Sequence, residues 1–561
     1  MYETKKLCSP TYFDFYPKYF PQRSFTRNIT DCSRAFTKNN ISRISTIYHF
    51  IAGTKGKKVT IGTMFLASSV GAFSLSSNLS FIYEDIASKK ILSGSVGVYA
   101  FFTTLYFSYH MCQSLLCAIL SYFQTEEKPI EPLTEFPFVT VQIPTRNEPF
   151  EIVRDLSIAS ALKLNYPVGQ LQIQVVDNSD RGRYSELENY CIEKGIQFIH
   201  RDGKEGAKAR NLNIGLDKAA GDFILLVDCD STFAPDDLLK IMPRFKDPKL
   251  GYVQCFLYTN NKSDNLYTKI RATIRDAYGK YLQPQRLSFS FKGCYGHNLV
   301  IRKKALEEIG GWGETLVAED YEASIKIMER GYRGGFTATP TMGDGLPNTF
   351  RAANVQQRKW TYGSSQIAMK KLQDYLKIDF LTWDEKLDIL LTLPGYFSSI
   401  TLAWVSFGLI TPITLAVNHL FPGQNNNCTS YLSSFTNLFY LWLATNVVIA
   451  GRVARDDPKE ALRYLKYFIP QQILHQGHTV ESTKAIYSLI TGKDEGWRIT
   501  PKGIEDKDSL IKVIKSYPWE FSLGLSFLTL GVALGGSLWL LLMGIGMVAS
   551  PLTQWDRKKV L

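Results

Sequence analysis

Polarity along the chain alternates on a large scale, with a polar middle between apolar flanks. Two long apolar runs, Val59–Tyr83 and Leu92–Phe123, stand near the N-terminus and are separated by the short loop EDIASKK. Each is long enough to cross a hydrocarbon core of roughly 30 Å, which takes about 20 residues. Together they predict a helical hairpin that returns the chain to its starting side. Two further spans are expected near Gly395–Leu420 and Phe435–Ala450, separated by the polar PGQNNNCTS. The last apolar run, Phe521–Ser550, exceeds one crossing and accommodates either one tilted helix or a hairpin broken at Gly535-Gly536.

The middle has a shorter period. VTVQIP, LQIQVVD, IQFIH, DFILLVD and GYVQCFL have the length and β-branched content of buried strands. Between them EPFEIVRDLSIASALK, GAKARNLNIGLDKAA and PDDLLKIMPRF repeat their apolar positions at the helical period. Such alternation predicts a mostly parallel, doubly wound α/β sheet. The resulting partition is a basic tail over 1–58, two spans within 59–123 and a Pro- and Glu-rich linker over 124–137. An α/β domain over 138–371 follows, then amphipathic interfacial helices over 372–394 and two spans within 395–450. A basic segment over 451–520, one or two spans within 521–550 and a tail over 551–561 complete the chain.

Charge sharpens this arrangement. The formal net charge is +12, but the excess borders the apolar runs instead of lining one basic face, which argues against nucleic acid as a partner. Arg23, Arg27, Arg34, Lys38, Arg43, Lys55, Lys57 and Lys58 precede the first span, and cytoplasmic flanks are enriched in such residues. The α/β domain and both termini are therefore expected on the cytosolic face of a plasma, inner or Golgi membrane. The first fifty-odd residues lack the apolar core of a cleavable signal peptide. Nine cysteines form no CxxC pair, so neither a zinc site nor a disulfide framework is indicated.

Candidate chemistry collects where strands end. Asp228-Cys229-Asp230 follows DFILLV, and two carboxylates one residue apart can share Mg²⁺ or Mn²⁺ with the diphosphate of a nucleotide. A solvated strand-to-loop turn would look the same. Upstream, GAKARNLN opens a helix with small residues and the cations Lys208 and Arg210, a seat for diphosphate at a helix N-terminus. Asp177-Asn178-Ser179-Asp180 ends another strand and is equally compatible with a turn. Glu319-Asp320 begins a helix, where acids are also favoured by the helix dipole. Gln356-Gln357-Arg358-Lys359-Trp360 closes the series.

In this order, within a chain bearing apolar spans, the segments resemble the processive family 2 glycosyltransferases: the cellulose, mannan, chitin and hyaluronan synthases. The resemblance is strong over residues 137–371 and extends by topology to Lys502. It implies a GT-A-type, Rossmann-like cytosolic catalytic domain embedded in an α-helical transmembrane protein. It places Asp177, Asp180, Lys208, Arg210 and Asp228 at the nucleotide, Asp228 and Asp230 at the metal, and Asp320 with Glu319 at catalysis, Asp320 as general base. Gln356, Trp360 and His297 would line the acceptor, and Arg358 or Lys359 would meet the diphosphate. The family has Arg where this chain has Lys359, which keeps the charge and loses the bidentate fork. Trp497, Thr500 and Lys502 resemble the gating loop that closes over the nucleotide.

VTVQIPTRNEPFEIVRDLSIASALKLNYP and GDGLPNTFRAANVQQRKWTYG lean towards the mannan and glucan synthases. The expected partners are a UDP- or GDP-hexose donor, a growing glycan or lipid acceptor, and the bilayer. The implied product is a β-linked polymer passed through the chain's own spans. A glycolipid synthase that adds one sugar, or an inactive domain retained in a transporter or scaffold, are the competing readings. Oligomeric state has no signature in the chain.

Overall fold

A computed structural model describes residues 91–123, 131–288, 292–395, 428–493, 499–502, 507–533 and 538–555. Its centre is a seven-stranded sheet of order β3-β2-β1-β4-β6-β5-β7. The strands are β1 Val139–Thr145, β2 Leu171–Asp177, β3 Gln197–His200, β4 Phe223–Leu226, β5 Leu250–Thr259, β6 Leu299–Arg302 and β7 Arg333–Asp344. β1 pairs in parallel with β2 and β4, β2 with β3, and β5 with β7, while β6 runs antiparallel to β4 and β5. The five expected strands are present, and the sheet is mostly parallel as its sequence predicts.

β6 and β7 were not expected. β6 is four residues long and sits in a segment whose Gly, His and Asn read as loop. β7 is RGGFTATPTMGD, poor in strand formers and carrying a proline. It is the outermost strand of the order, and an edge position tolerates a residue that donates no ladder hydrogen bond.

Helix α1 is Ile91–Ser121, α2 covers 150–161 with a π turn over Val153–Ile158, α3 is Ser185–Glu193 and α4 Ala207–Asp217. α5 is Asp237–Ile241, α6 Leu266–Ala277, α7 Lys303–Glu308, α8 Glu319–Glu329, α9 Phe350–Lys377 and α10 Trp383–Thr392. The C-terminal helices are α11 Cys428–Asp456, α12 Pro458–Gln476, α13 Thr479–Ile490, α14 Leu510–Ser516, α15 Pro518–Ala533 and α16 Leu538–Leu552. The amphipathic stretch expected over 372–394 is thus the last turns of α9, a break at Ile378 and α10, whose start Thr382 and Glu385 fix as a capping box.

α4 lies on polar positions of the sheet. Register sets Thr140 beside Gln172 and Gln142 beside Gln174. Thr140 donates to Gln172 at 2.8 Å, and Gln142 donates to Gln174 at 3.0 Å and to the Leu212 carbonyl at 3.2 Å. Buried amides require such partners, and these tie the helix to the strands that carry the site. Gly215 makes the close approach possible, since a Cβ there would run into the side chains of Gln142, Gln174 and Val176.

Among the described residues no helix is both long and apolar enough to cross a membrane. The run Val59–Tyr83, most of Gly395–Leu420 and the basic tail lie outside those residues. α1 and α11 join where the Arg452 Nε donates to the Ser121 carbonyl at 2.8 Å and the Tyr122 hydroxyl to the Val448 carbonyl at 3.0 Å. Over 518–552 the structure has two helices, not one. They approach so closely that a Cβ on Gly544 would stand 2.7 Å from the Gly524 carbonyl oxygen.

Gly215→Ala is expected to lower stability by about 1–3 kcal/mol through overpacking, read as a fall in the thermal unfolding midpoint of the purified chain.

Candidate active site

The ends of β1, β2 and β4 form one rim. After β1, Asn147 adopts φ 50°. Its amide Nδ2 donates to Asp180 at 2.9 Å and its Oδ1 accepts from the Asp180 backbone N–H at 2.9 Å, stitching the β1 and β2 loops together. Asp177 lies beneath this stitch and is fully buried. Its carboxylate accepts from the Thr145 hydroxyl at 2.8 Å, the Ser179 hydroxyl at 2.6 Å and the Ser179 N–H at 2.8 Å, and meets His200 Nδ1 at 2.9 Å. A carboxylate offers about four lone-pair sites, so all are taken. Asp177 therefore braces the rim in the donor-free protein. Asp180 is exposed, 3.6 Å from Arg146.

α4 enters through two left-handed residues, Gly206 at φ 68° and Ala207 at φ 46°. This entry aims Lys208 at the end of β4. Its ammonium donates to Asp228 Oδ1 at 2.7 Å and to the Gly296 carbonyl at 2.9 Å. Burial disfavours the Lys208 charge, but Asp228 and Glu319 outweigh it and raise the pKa. Burial would likewise raise the Asp228 carboxyl, yet Lys208, His297 and Lys502 hold it well below its usual range. Arg210, the other expected cation, is solvent-exposed.

The asparagines of NLN are staples that were not foreseen. Asn211 donates to the Val176 carbonyl at 3.3 Å and to Asn178 at 2.8 Å. Asn213 donates to the Trp312 carbonyl at 2.9 Å and accepts from the Trp312 N–H at 2.7 Å, fixing the approach to α8.

Loop 295–298 carries Gly296 at φ 75° and Asn298 at φ 52°. Gln254 clamps it, accepting from the Tyr295 N–H at 2.9 Å and donating to the His297 carbonyl at 3.0 Å. This brings Gly296 against α8: a Cβ there would lie 3.0 Å from Asp320 Oδ2. Asp320 Oδ1 accepts from the Tyr321 N–H at 2.8 Å. Glu319 is buried, and burial together with the Asp320 charge pushes its carboxyl up to about 7.

His297, expected at the acceptor, stands between two carboxylates, 3.8 Å from Asp228 and 3.4 Å from Asp344. Asp344 is in turn bound by Arg275 at 2.6 Å. Asp344 was missed because it ends β7, the strand the sequence hid. On α9 the neighbouring cations separate. Arg358 pairs with Glu481 of α13 at 2.9 Å, while the electrostatic neighbours of half-buried Lys359 include Lys208, Asp228, Glu319 and Lys502. Lys359 is thus the member of the motif that joins the site. Gln356 Oε1 is buried without a hydrogen-bond partner, and the Trp360 ring is 44% exposed.

Lys502 reaches the rim from far downstream. Its ammonium lies 3.0 Å from Asp230 Oδ1, 2.7 Å from Cys229 Sγ and 3.5 Å from Glu148 Oε1. Glu148 follows β1 and is not among the residues that the family resemblance implies. Thr500 belongs to the same described stretch, half-buried, whereas Trp497 lies outside the described residues. Among the described residues no three metal-binding side chains converge. Asp228 and Asp230 nevertheless supply the hard oxygen pair that Mg²⁺ or Mn²⁺ takes from protein when phosphate oxygens complete its shell. The donor set fits such a cation.

A family model described as Glycosyl transferase family group 2 matches residues 223–451. Over these residues the chain is similar to family 2 glycosyltransferases. Over 265 residues it is 34% identical to a cellulose synthase catalytic subunit [UDP-forming] of Xanthomonas axonopodis pv. citri, covering 45% of this chain and 35% of that protein. Over 266 residues it is 32% identical to a probable glucomannan 4-beta-mannosyltransferase 4 of Oryza sativa subsp. japonica, covering 46% and 48%. The chain thus spans about a third to a half of these relatives' length. A solved mannosyltransferase of Pyrobaculum calidifontis, in complex with GDP-Man and Mn²⁺, superposes at a TM-score of 0.44 with 18% identity, over 71% of this chain and 100% of that one. The sheet itself is mixed, with Asp177 at the end of β2 and Asp344 at the end of β7.

A carboxyl raised from 4.5 to about 7 binds more protons folded than unfolded in that window, so Glu319 makes the protein less stable as pH rises through it. In the donor-free protein, Glu319→Gln is expected to be more stable than the parent by roughly 3 kcal/mol above pH 7. The gain should disappear below about pH 4.5, as checked by thermal unfolding across pH.

Proposed function

We propose that the chain is a membrane-embedded, inverting glycosyltransferase that extends a β-linked polysaccharide from UDP-glucose or GDP-mannose. The observation that carries this reading is a cavity of about 360 Å³ lined by Tyr295, Tyr321, Ser364, Arg286, His110 and Asp388 among others. Tyr321 follows Asp320 directly, and Ser364 donates to the Trp360 carbonyl at 2.7 Å one turn away. The cavity is thus lined by chain neighbours of the proposed base and of the proposed stacking residue, and by Tyr106 and His110 of α1.

Asp320 would take the proton of the acceptor hydroxyl as that oxygen attacks the anomeric carbon opposite the diphosphate. Its Oδ1 is held by Tyr321 N–H, which leaves Oδ2 to receive the proton. Trp360 offers an apolar face to a sugar ring, and the unpaired Gln356 Oε1 offers an acceptor to a sugar hydroxyl. Lys208, Lys359 and Lys502 place ammonium groups around the leaving diphosphate. Asp228 and Asp230 would hold Mg²⁺ or Mn²⁺, which would supply further charge neutralisation to that leaving group.

Membrane embedding is supported by the apolar runs of the sequence and by exposed apolar residues on the flanking helices, among them Phe102, Tyr440, Val447, Leu525 and Val532. Large exposed apolar patches call for a partner phase. A second reading, single-sugar transfer to a lipid at the membrane surface, is favoured by Leu462, Leu465 and Ile469, which make one face of α12 apolar and exposed. Radiolabelled UDP-glucose, GDP-mannose and UDP-N-acetylglucosamine, supplied in parallel to protein in nanodiscs, test both. A high-molecular-weight β-linked product supports elongation, and a lipid-extractable monosaccharide product supports the second reading.

Asp320→Asn is expected to lose about 10²–10⁴ in turnover while binding the donor as the parent does, measured by calorimetry. Because Glu481 engages Arg358, Lys359→Ala should lose on the order of 10² in turnover and Lys359→Arg should retain activity. A silent Lys359→Ala variant would remove Lys359 from the diphosphate site.

A further inference from the structure

Each carboxylate of the Asp228–Asp230 pair already has a lysine. The two lysines differ in how they are held. Lys208 projects from the first turn of α4 and is also fixed to the Gly296 carbonyl at 2.9 Å, so it is a permanent neighbour of Asp228. Lys502 lies in a stretch with neither helix nor strand, 272 residues from Asp230 in the chain. Its ammonium is nevertheless lodged among Asp230, Glu148 and Cys229, all from the rim. Asp230 is only 9% exposed, and a Cβ on Gly345 would press to 2.6 Å from its other oxygen, Oδ2. Oδ1, the oxygen that Lys502 takes, lies on the Lys502 side of that closed wall.

We propose that Lys502 is the built-in counter-ion of Asp230 and Glu148 in the donor-free protein, and that it competes with the divalent cation for Asp230. An ammonium and a hard divalent cation seek the same carboxylate oxygen, and the two positive charges repel in so small a space. Lys502 leaves Asp230 when the cation–nucleotide complex is loaded, and the charge it withdraws is then available to the diphosphate that arrives. The exchange makes cation binding weak without nucleotide and strong with it, so that Asp230 is committed to the cation only when there is a donor to use. This inference rests on the reading of Asp228 and Asp230 as the cation site.

Mn²⁺ titrations of the full chain, with free Mn²⁺ read by electron paramagnetic resonance, test it without reference to turnover. In the absence of nucleotide, Lys502→Met is expected to bind Mn²⁺ about tenfold more tightly than the parent, equivalent to about 1.4 kcal/mol. Lys502→Arg, which keeps the charge, should stay near the parent. Equal or weaker Mn²⁺ binding by Lys502→Met overturns the proposal. On the unaltered protein, Mn²⁺ at a concentration that the titration shows to saturate the nucleotide-free site should speed acetylation of Lys502 by acetic anhydride, followed by mass spectrometry, and an unchanged rate at that saturation would overturn it as well. If Mn²⁺ fails to bind the parent even with UDP or GDP present, the cation site itself falls. If it binds with nucleotide but Lys502→Met shows no gain, the competition alone is wrong.

Discussion

The architecture turns on the contact between Lys208 and Asp228. One buried ammonium spans the end of β4 and the loop that faces α8, so three chain segments far apart in sequence are fixed by a single charge. A buried charge is tolerated only when paired and hydrogen-bonded, and the surroundings obey that constraint. His297 stands between Asp228 and Asp344, Arg275 closes on Asp344, and the left-handed entry to α4 keeps the lysine aimed. Acids and cations alternate around the rim, so a polyanionic ligand entering it would meet bases already held in place.

The core of the fold was legible because its strands obey burial. VTVQIPT, LQIQVVD and FILL lie at the sheet centre and carry the residues that sheet pairing and burial favour. The gathering of Asp228, Glu319 and Asp320 about Lys208 was legible because these acids stand at a strand end and a helix start. What escaped notice was tertiary. β7 is an edge strand with glycines and a proline, so Asp344 carried no signal of its role. Asn211 and Asn213 read as part of a phosphate seat, yet their side chains are spent on Val176, Asn178 and Trp312. Asp177 stood where a ligand residue should stand, and only the arrival of Thr145, Ser179 and His200 reveals that its lone pairs are used internally.

Arg358 and Lys359 illustrate a subtler limit of one-dimensional reading. Adjacent helical positions point about 100° apart, so one faces α13 and the other the rim, and charge alone would not say which. Glu481 decides it. Membrane topology is a different matter, because apolar runs speak of the solvent a helix will tolerate and say little about how helices meet. The close contact of Gly524 with Gly544 depends on side-chain size at two positions, a feature that mean hydropathy averages away.

The anchoring of Asp508 has a geometric consequence. Its carboxylate holds Arg351, in the first turn of α9, at 2.6 Å, and its backbone N–H donates to the Gln554 carbonyl at 3.0 Å, which makes it a fixed pivot. Lys502 precedes this pivot by six residues, and six extended residues reach at most about 20 Å. Chain length alone therefore bounds how far Lys502 can stand from the base of the helix that carries Lys359 and Trp360.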